Sequence, residues 1–405
     1  MRVAKNESEE ERFMVSAASR IAPEFKGPPG QDDMPYLLTP GPLTTSQTVK
    51  LTMLADWGSR DPEFRQIVGD IRKRLLKLAN CGPDYDCVIM QGSGTFAIEA
   101  ALGSFCPSVE SKTLVVCNGV YGERAAAILK RIRRRNLKID KGEGAAAPTA
   151  KEVKLALDAD PAISHVWMVH CETTSGIVNP IHDIAEAVKA CGRIFMVDAM
   201  ASFGALPLDM ETSGIDVMVS SSNKCLEGVP GFSYVLAKRD LLTTSHEKCH
   251  SVVLDLHDQW KGLEANGQFR FTPPTHALVA FHQALKEHER QGGITARGAR
   301  YARNAKMLLN GMREMGFATL LNDREAGPII QTFLVSADPN FDFEQFHQAL
   351  RARGFAIYPG KLTQRPSFRI GTIGQIDESV MQGLLQAIRE VLRDMNVIDL
   401  APLEP

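Results

Sequence analysis

The sequence lacks the cysteine patterns that mark disulfide frameworks and structural metal sites. Its eight cysteines are scattered over 405 residues, without a C-x-x-C pair or a cluster of histidine and cysteine at zinc spacing. This absence predicts reduced thiols in a cytoplasmic protein and no bound metal. Cys225, beside Lys224, has the position of a nucleophile, but its expected role is that of a small buried packing residue.

Long apolar runs and a dominant charge are also missing. No stretch approaches the ~20 apolar residues that cross a bilayer, and residues 1–20 have neither the apolar core of a signal peptide nor the basic character of a mitochondrial presequence. A formal net charge of −2 gives no general attraction to nucleic acid or to an anionic membrane. The histidines show neither H-E-x-x-H nor triad spacing. We therefore expect small molecules as partners, and no nucleic acid or membrane.

The length predicts more than one domain. Single cores stop growing near ~250 to 300 residues, and this chain has 405, of which 44% are hydrophobic and 23% charged, as in ordinary soluble proteins. We expect an N-terminal extension over 1–33, a large domain over 34–290 and a small C-terminal domain over 291–405. Residues 36–42 contain two prolines and a glycine, which favour a rigid segment lying over a site or a plain entry turn.

Strand and helix patterns alternate through the large domain. This alternation predicts an α/β fold with a mostly parallel sheet and helices on both faces. The C-terminal part has short strand patterns between two helical patterns, typical of a compact α+β domain. The predicted strands are 87–90, 113–117, 166–170, 194–197, 217–219, 316–321, 327–335, 354–360 and 367–374, and the predicted helices are Pro62–Leu78, 96–102, 181–191, 276–291, 343–353 and 377–396.

An acid and a lysine follow two neighbouring strand patterns. Asp198 comes directly after strand 194–197, and Lys224 follows strand 217–219 through a Ser-Ser-Ser-Asn run. An open α/β sheet binds its ligands at the carboxyl ends of its strands, so both side chains should reach one crevice. An acid that holds a protonated ring nitrogen and an amine that forms a Schiff base are the minimum apparatus of a pyridoxal phosphate enzyme. A surface pair or a structural ion pair is the alternative.

A glycine turn at 92–95 opens the helix pattern at 96–102. Backbone N–H groups and the helix dipole at such a turn can bind phosphate, although many such turns serve only packing. Residues 92–97 also match G-x-G-x-x-A, the signature of a nicotinamide oxidoreductase. That alternative expects an acid at the end of the next strand, where Cys117 and Asn118 stand. A non-catalytic scaffold remains a third possibility if Lys224 is exposed and unmodified.

Arg369 lies between apolar neighbours late in a predicted strand. An ordinary strand arginine that pairs with a neighbour is one interpretation. A site that binds a keto acid needs a planar fork for its carboxylate, and arginine supplies that fork.

Nine segments in order resemble the class V aminotransferases of the fold type I pyridoxal phosphate enzymes. Among these enzymes, the resemblance is to those that move an amino group from 2-aminoethylphosphonate to pyruvate, giving phosphonoacetaldehyde and L-alanine. An alanine or serine aminotransferase that uses glyoxylate or pyruvate is the alternative within the family. The segments are LLTPGPLTTS, QGSGTFAIEA, NGVYGER, ISHVWMVHCETTSGIVNPI, VDAMASFG, SSNKCLEGVPGF, RFTPPTH, IYPGK and FRIGTIG.

The resemblance implies pyridoxal 5'-phosphate as cofactor and a role for each matching residue. Lys224 would hold the cofactor covalently and shuttle protons, while Asp198 would keep the pyridine nitrogen protonated. Arg369 would bind the carboxylate of pyruvate or alanine. The family also implies a homodimer with shared active sites. The remaining cofactor contacts would be Ser93, Gly94 and Thr95 at the phosphate, Tyr121 stacked on the ring, Thr173 beside the ring with Thr174 as the alternative, Asn223 at the phosphate, and Thr272 reaching in from the partner subunit.

One difference from the family pattern concerns the amino donor. The segment WGSRDPEF replaces a more acidic sequence near the expected entry of the donor. Arg60 in this segment either helps to bind a phosphonate or forms a surface ion pair with Asp61 or Glu63.

Overall fold

We describe the fold from a computed structural model, in which the described residues are 34–106, 112–142, 146–360, 362 and 365–402. The predicted N-terminal extension, residues 1–33, lies outside this range. None of the described helices is long and apolar enough to cross a membrane. The strands, in chain order, are β1 (Tyr36–Leu37), β2 (Tyr85–Gln91), β3 (Lys112–Cys117), β4 (Asn136–Asp140), β5 (Ile163–Val169), β6 (Cys171–Glu172), β7 (Ile177–Val178), β8 (Ile194–Asp198), β9 (Val217–Ser221), β10 (Phe232–Lys238), β11 (Ile330–Leu334), β12 (Phe355–Ala356), β13 (Tyr358–Pro359) and β14 (Ser367–Gly371).

The helices follow the apolar periodicity of the sequence. In the helix Pro62–Leu78, Phe64, Val68, Ile71 and Leu75 are buried at three- and four-residue spacing, and proline occupies its first turn. The helices, in chain order, are α1 (Gln47–Leu51), α2 (Pro62–Leu78), α3 (Gly94–Phe105), α4 (Val120–Arg131), α5 (Ala150–Ala159), α6 (Ile181–Ala190), α7 (Met210–Ser213), α8 (Arg239–Thr244), α9 (Leu256–Asn266), α10 (Thr275–Arg290), α11 (Gly293–Met315), α12 (Phe343–Ala352) and α13 (Glu378–Asp394), with a short 3-10 turn at Thr52–Leu54.

Seven of the described strands form the central sheet, in the order β2-β10-β9-β8-β5-β3-β4. Strand β10 is antiparallel to both of its neighbours, and the other pairs are parallel. The predicted mostly parallel α/β sheet is therefore confirmed. Asp198 pairs with Val169 of β5 and Val219 of β9, so the carboxyl ends of three adjacent strands meet at one edge.

The core divides into two main apolar clusters. One is built from buried residues between Phe64 and Leu285 and packs around the central sheet. The other combines Leu38 with residues between Leu308 and Leu400 and packs around the antiparallel sheet β11-β14-β13. These clusters accord with the proposed large and small domains, whose boundary at 290/291 stays a prediction.

The predicted strand over 316–321 is wrong as an element. This segment follows Gly316, which ends α11 with a φ of +109° in the left-handed region. Its Leu320 N–H donates to Thr332 O at 3.0 Å, and Ala318 O accepts from Leu334 N–H at 3.0 Å. The segment therefore lies along β11 but forms only an isolated bridge.

Candidate active site

A cavity of about 260 Å³ lies at the carboxyl ends of β5, β8 and β9. The ends of these strands contribute Val169, Asp198 and Ser221 to its wall. The structure brings together eight residues that the sequence singled out: Ser93, Gly94, Thr95, Tyr121, Thr173, Asp198, Asn223 and Lys224. Gly41, Arg124 and Cys171 are among the other lining residues.

Asp198 is a buried carboxylate at the floor of this cavity. It is 2% exposed, and its Oδ1 accepts a hydrogen bond from Met200 N–H at 2.9 Å. Burial raises the pKa of Asp198 from 3.8 to about 7, while the Met200 N–H and the charges of Lys224 and Arg124 oppose this rise. A carboxylate in this setting would gain stability from a bound cation, and a protonated ring nitrogen is one.

Lys224 follows β9 and is half-buried, with its amine at the cavity. Its Nζ donates to Gly41 O at 3.0 Å. Gly41 has a φ of +107°, and a Cβ added there would lie 2.5 Å from Lys224 Cδ, so glycine is required for this close approach. Segment 36–42 therefore lies over the site, as one of the two sequence interpretations expected. Lys224 is not the exposed surface lysine that a scaffold would have.

The amino terminus of α3 forms one wall of the cavity. Ser93 is the N-cap residue, Gly94 and Thr95 begin the helix, and all three line the cavity. The first N–H groups of a helix have no acceptor within the helix, so this terminus can bind an anion. A Cβ at Gly94 would lie 2.5 Å from Met200 Sδ, so a side chain there would require the Met200 thioether to move. Arg124 Nη1 donates to Thr95 Oγ1 at 3.3 Å, which brings a positive charge to the same wall.

Tyr121 lines the cavity from the first turn of α4. The Arg124 guanidinium lies 4.9 Å from the centre of its ring. Glu172 is buried and holds the backbone of this turn, because its Oε2 accepts from Tyr121 N–H at 3.1 Å. Burial raises the pKa of Glu172, and hydrogen bonds from Thr174 and Tyr121 oppose the rise.

Thr173 and Thr174, the two candidates for a hydroxyl beside the cofactor ring, differ in their hydrogen-bond partners. Thr174 Oγ1 donates to Glu172 Oε1 at 2.6 Å and accepts from Val120 N–H at 3.1 Å. Thr173 lines the cavity. The geometry therefore favours Thr173 over its alternative as the hydroxyl beside a bound ring.

Arg369 lies on β14, next to the cavity but not among its lining residues. It is 1% exposed, and its Nη1 donates to Thr173 O at 2.7 Å. Its Nε and Nη2 donate to Pro359 O at 3.2 and 3.1 Å. These bonds use three of its five N–H groups and hold the guanidinium in place. A planar guanidinium held in this way can present its other N–H groups to a carboxylate.

Two predicted residues lie away from the cavity of a single chain. Thr272 is exposed and precedes α10. Arg60 is also exposed, and the cavity wall does not include it.

A surface group outside the cavity contains His246, His257 and Asp258, whose ligand atoms lie within 4.8 Å of one another. Asp258 already pairs with Arg270 at 3.1 Å, and His246 and Asp258 are exposed. We assign no metal to this group, and the expectation of no bound metal stays a prediction.

The residues of the cavity fit pyridoxal 5'-phosphate. Asp198 has the charge that a pyridinium nitrogen requires, the α3 terminus has the donors that a phosphate requires, and Lys224 has the amine that an aldehyde requires. Ser221 Oγ is buried at the same wall without a partner in the part of the chain that the structure describes. A polar ligand group would satisfy this hydroxyl.

Comparison with known proteins gives a consistent family. The family described as "Aminotransferase class-V" matches residues 55–381. A 2-aminoethylphosphonate–pyruvate transaminase of Rhizobium meliloti (strain 1021) is 52% identical over 91% of this chain and 96% of its own length. A 2-aminoethylphosphonate–pyruvate transaminase of Paraburkholderia xenovorans (strain LB400) is 48% identical over 91% of this chain and 94% of its own length. The ureidoglycine-glyoxylate aminotransferase of Bacillus subtilis has a similar fold, with a TM-score of 0.83 and 22% identity over 92% of this chain and 95% of its own.

Proposed function

Because this chain belongs to the class-V aminotransferases, we propose that it transfers the amino group of 2-aminoethylphosphonate to pyruvate. The products are phosphonoacetaldehyde and L-alanine, and the cofactor is pyridoxal 5'-phosphate. The observation that carries the proposal is the meeting of Lys224, Asp198 and the α3 terminus in one cavity. Relatives of that activity cover most of the chain at 48 to 52% identity. A nicotinamide oxidoreductase has no support from this family.

When bound, pyridoxal phosphate supplies an aldehyde that takes up the amino group and a protonated ring that withdraws electrons from the reacting carbon. Lys224 Nζ would hold the aldehyde of the cofactor and would move a proton at the reacting carbon. Asp198 holds the proton on the ring nitrogen through a charge-assisted hydrogen bond. The N–H groups at the start of α3 bind the phosphate, with the hydroxyls of Ser93 and Thr95.

Arg369 is the candidate for binding the substrate carboxylate. Arg369 presents its two remaining N–H groups to the carboxylate of pyruvate, and its bond to Thr173 O fixes the guanidinium relative to the cavity. Tyr121 would pack on the cofactor ring, and Glu172 holds the turn from which Tyr121 projects.

The protein functions as a cytoplasmic homodimer in this proposal. Thr272 lies outside the cavity of its own chain and contacts the cofactor phosphate of the partner subunit. The segment before Thr272 is anchored by Arg270, which donates to Val252 O at 2.8 Å. Apolar side chains are exposed around it, namely Phe271 at 42%, Val252 at 72% and Val253 at 59%, as at a subunit interface. All eight cysteines are free thiols, which supports a reducing compartment.

A panel of amino donors tests the activity. The purified protein, loaded with pyridoxal phosphate, should form phosphonoacetaldehyde and L-alanine in equal amounts from 2-aminoethylphosphonate and pyruvate. Alanine and serine with glyoxylate serve as competing substrate pairs. Efficient use of either pair, without turnover of the phosphonate, would replace this proposal by the alanine or serine aminotransferase alternative.

Borohydride reduction tests the role of Lys224 separately from the choice of donor. We expect the reduced cofactor on the peptide that contains Lys224, with no attachment in Lys224→Ala. Attachment to a different lysine in the wild type would reject the assignment.

A further inference from the structure

The loop that carries Lys224 has a strained backbone next to the reactive amine. Glu227 N–H donates to Lys224 O at 2.8 Å, and Gly228 N–H donates to Ser222 O at 2.9 Å, which closes a tight turn. Glu227 has a φ of +58°, in the left-handed region that residues other than glycine rarely adopt. This conformation persists only where surrounding contacts stabilise it.

The side chain of Glu227 supplies those contacts. It is 4% exposed, and Oε1 accepts from Tyr301 Oη at 2.6 Å and from Arg300 Nη2, with Arg297 Nη1 at 3.3 Å. All three partners belong to helix α11. A buried carboxylate is stable only with such partners. We call Glu227, Arg297, Arg300 and Tyr301 the glutamate cluster.

The glutamate cluster also holds the residue directly after the lysine. Arg297 Nη1 donates to Cys225 O at 2.6 Å, and Tyr301 Oη lies 3.3 Å from the same oxygen. Cys225 and Tyr301 are fully buried in one apolar cluster with Ala201 and Ile373. The loop is thus fixed by charge, by backbone hydrogen bonds and by packing.

Helix α11 holds the strand end beyond Arg369 as well. Gly374 N–H donates to Tyr301 Oη at 3.3 Å. One helical turn further along, Asn304 Nδ2 donates to Thr372 O at 3.1 Å and to Ile376 O at 3.2 Å. Thr372 stands three residues after Arg369, directly beyond the end of β14. One helix therefore contacts both the lysine loop and the segment that presents the arginine fork.

We propose that the glutamate cluster is a positioning device that fixes Lys224 for attack on the cofactor aldehyde, and that α11 sets the separation between this amine and Arg369. In that attack the neutral amine forms a C=N bond to the aldehyde carbon, and the aldehyde oxygen leaves as water with the two amine protons. None of its members lines the cavity, so they act through the loop and not on substrate. The proposal rests on the proposed function only in taking Lys224 as the reactive amine. Sequence patterns gave no sign of it, because the participants are separated by about seventy residues along the chain.

The rate of covalent capture tests the lysine end of the device. Apoprotein is mixed with pyridoxal phosphate, and attachment at Lys224 is followed by absorbance and by borohydride trapping over time. Tyr301→Phe keeps every charge and nearly all the volume, and Glu227→Gln keeps the shape of the side chain. We expect each to slow capture about tenfold, equivalent to ~1.4 kcal/mol in the barrier. The double variant should be slowed less than the product of the two single effects, because both changes act on the contact between Glu227 and Tyr301.

A buried network elsewhere provides the matched control. Asp86 accepts from Arg72 Nη2 at 2.7 Å and from Trp260 Nε1 at 2.8 Å, and its contacts do not involve the lysine loop. Asp86→Asn should lower the melting temperature while capture stays at the wild-type rate. Capture within twofold of wild type in folded Tyr301→Phe, or equal slowing in Asp86→Asn, would overturn the proposal.

The arginine end is tested with Asn304→Leu. We expect the KM for pyruvate to rise severalfold with capture at Lys224 unchanged, the reverse of the pattern in Glu227→Gln, whose contacts do not reach the segment beyond Arg369. An unchanged pyruvate KM would reject the second half of the proposal. Capture needs no amino donor, so slow capture in the cluster variants supports the device even where 2-aminoethylphosphonate is not a substrate. Absence of turnover with that donor would reject only the proposed function.

Discussion

Burial of Asp198 favours its protonated form, whereas its proposed role requires the ionised carboxylate. Its pKa of about 7 in the absence of a bound cation means that the folded apoprotein keeps a proton which the unfolded chain, with a pKa near 3.8, has released. The unfolded state then binds fewer protons between these two values. The free energy of unfolding therefore falls as the pH rises through that window and levels off above it.

The variant Asp198→Asn tests the effect of the buried carboxyl on stability separately from its effect on transamination. Between pH 5 and pH 8 the wild-type apoprotein should lose roughly 2 to 3 kcal/mol of stability that the neutral amide does not lose. Transamination by the loaded variant should fall by roughly one to two decades, because an amide cannot hold the ring nitrogen protonated. Urea unfolding of both apoproteins at the two pH values, with cofactor-loaded turnover, measures both effects. An identical pH dependence of stability in the two proteins would contradict the assignment of this pKa, and wild-type turnover would contradict the role.

Arg369 provides a second prediction at the level of one side chain. Lysine cannot bond Thr173 O and Pro359 O while presenting a planar fork, so Arg369→Lys should raise the KM for pyruvate at least about tenfold. The KM for the amino donor and the capture of cofactor at Lys224 serve as internal controls. A pyruvate KM equal to that of the wild type would remove Arg369 from the carboxylate site. An equal rise in both KM values would mean that the two substrate anions share one arginine.

The sequence was enough to predict site residues with a distinctive chemical type. It was not enough to predict residues whose role depends on a contact with a distant part of the chain. Asp198 was predicted because a charged residue directly after an apolar strand is unusual, and Lys224 because it follows the next strand through a short polar run, which brings both to one edge of the sheet. Glu172 and Arg124 were missed, because nothing in their spacing shows that one holds the Tyr121 turn and the other reaches Thr95. Gly41 was predicted to lie near the site only as part of the rigid segment 36–42. Its contact with Lys224 depends on folding across 183 positions of the chain.

At the scale of elements, the start of α3 is the feature most sensitive to small changes. Gly94→Ala would place a methyl group 2.5 Å from Met200 Sδ, so either the methionine or the helix start must move. Met200 also lines the cavity, so a displaced thioether would occupy cofactor space, and a shifted helix start would misalign the N–H groups that bind the phosphate. We therefore expect a cofactor affinity at least about tenfold weaker. Titration of apoprotein with pyridoxal phosphate measures this change.

Gly69→Ala is the matched control for that substitution. Gly69 lies within α2, and a Cβ there meets nothing within 4 Å. Alanine should stabilise the helix by up to ~1 kcal/mol and leave cofactor affinity unchanged. Wild-type affinity in Gly94→Ala would contradict the expected sensitivity of the cofactor site to the contact between Gly94 and Met200.

Elements with a regular apolar period were predictable, and those shaped by tertiary contacts were not. The bounds of α2 were predicted correctly from its buried stripe and its N-terminal proline. The 23-residue helix α11 was not recognised, because Arg297 and Asn304 are buried at positions where the period expects apolar residues. Their burial depends on Glu227 and the carbonyl of Thr372, which lie far away in the sequence.

At the scale of the whole molecule, sequence patterns could not predict the order of the strands in the central sheet. Strand β10 inserts between β2 and β9, although β2 lies about 140 residues earlier in the chain. Alternation of strands and helices predicted a parallel sheet but gave no sign of this antiparallel member. The position of the site was nevertheless predictable, because the ends of parallel strands share one edge whatever their order.

Complementation between two inactive variants tests whether the site needs a second copy of the chain. Lys224→Ala removes the reactive amine, and Thr272→Ala removes a hydroxyl that we place in the partner's site. In a mixed dimer, one site receives wild-type Lys224 from one chain and wild-type Thr272 from the other, whereas the second site carries both lesions. Activity should therefore return after subunit exchange, to at most half of the wild-type value per mixed dimer.

Ile398 is 92% exposed and lies outside both segments, so Ile398→Ala provides the control variant. A mixture of Ile398→Ala with Lys224→Ala should show only the activity of the Ile398→Ala chains. Lack of recovery in the test mixture, with exchange demonstrated by differently tagged chains and with Thr272→Ala inactive alone, would show that each chain builds its site by itself.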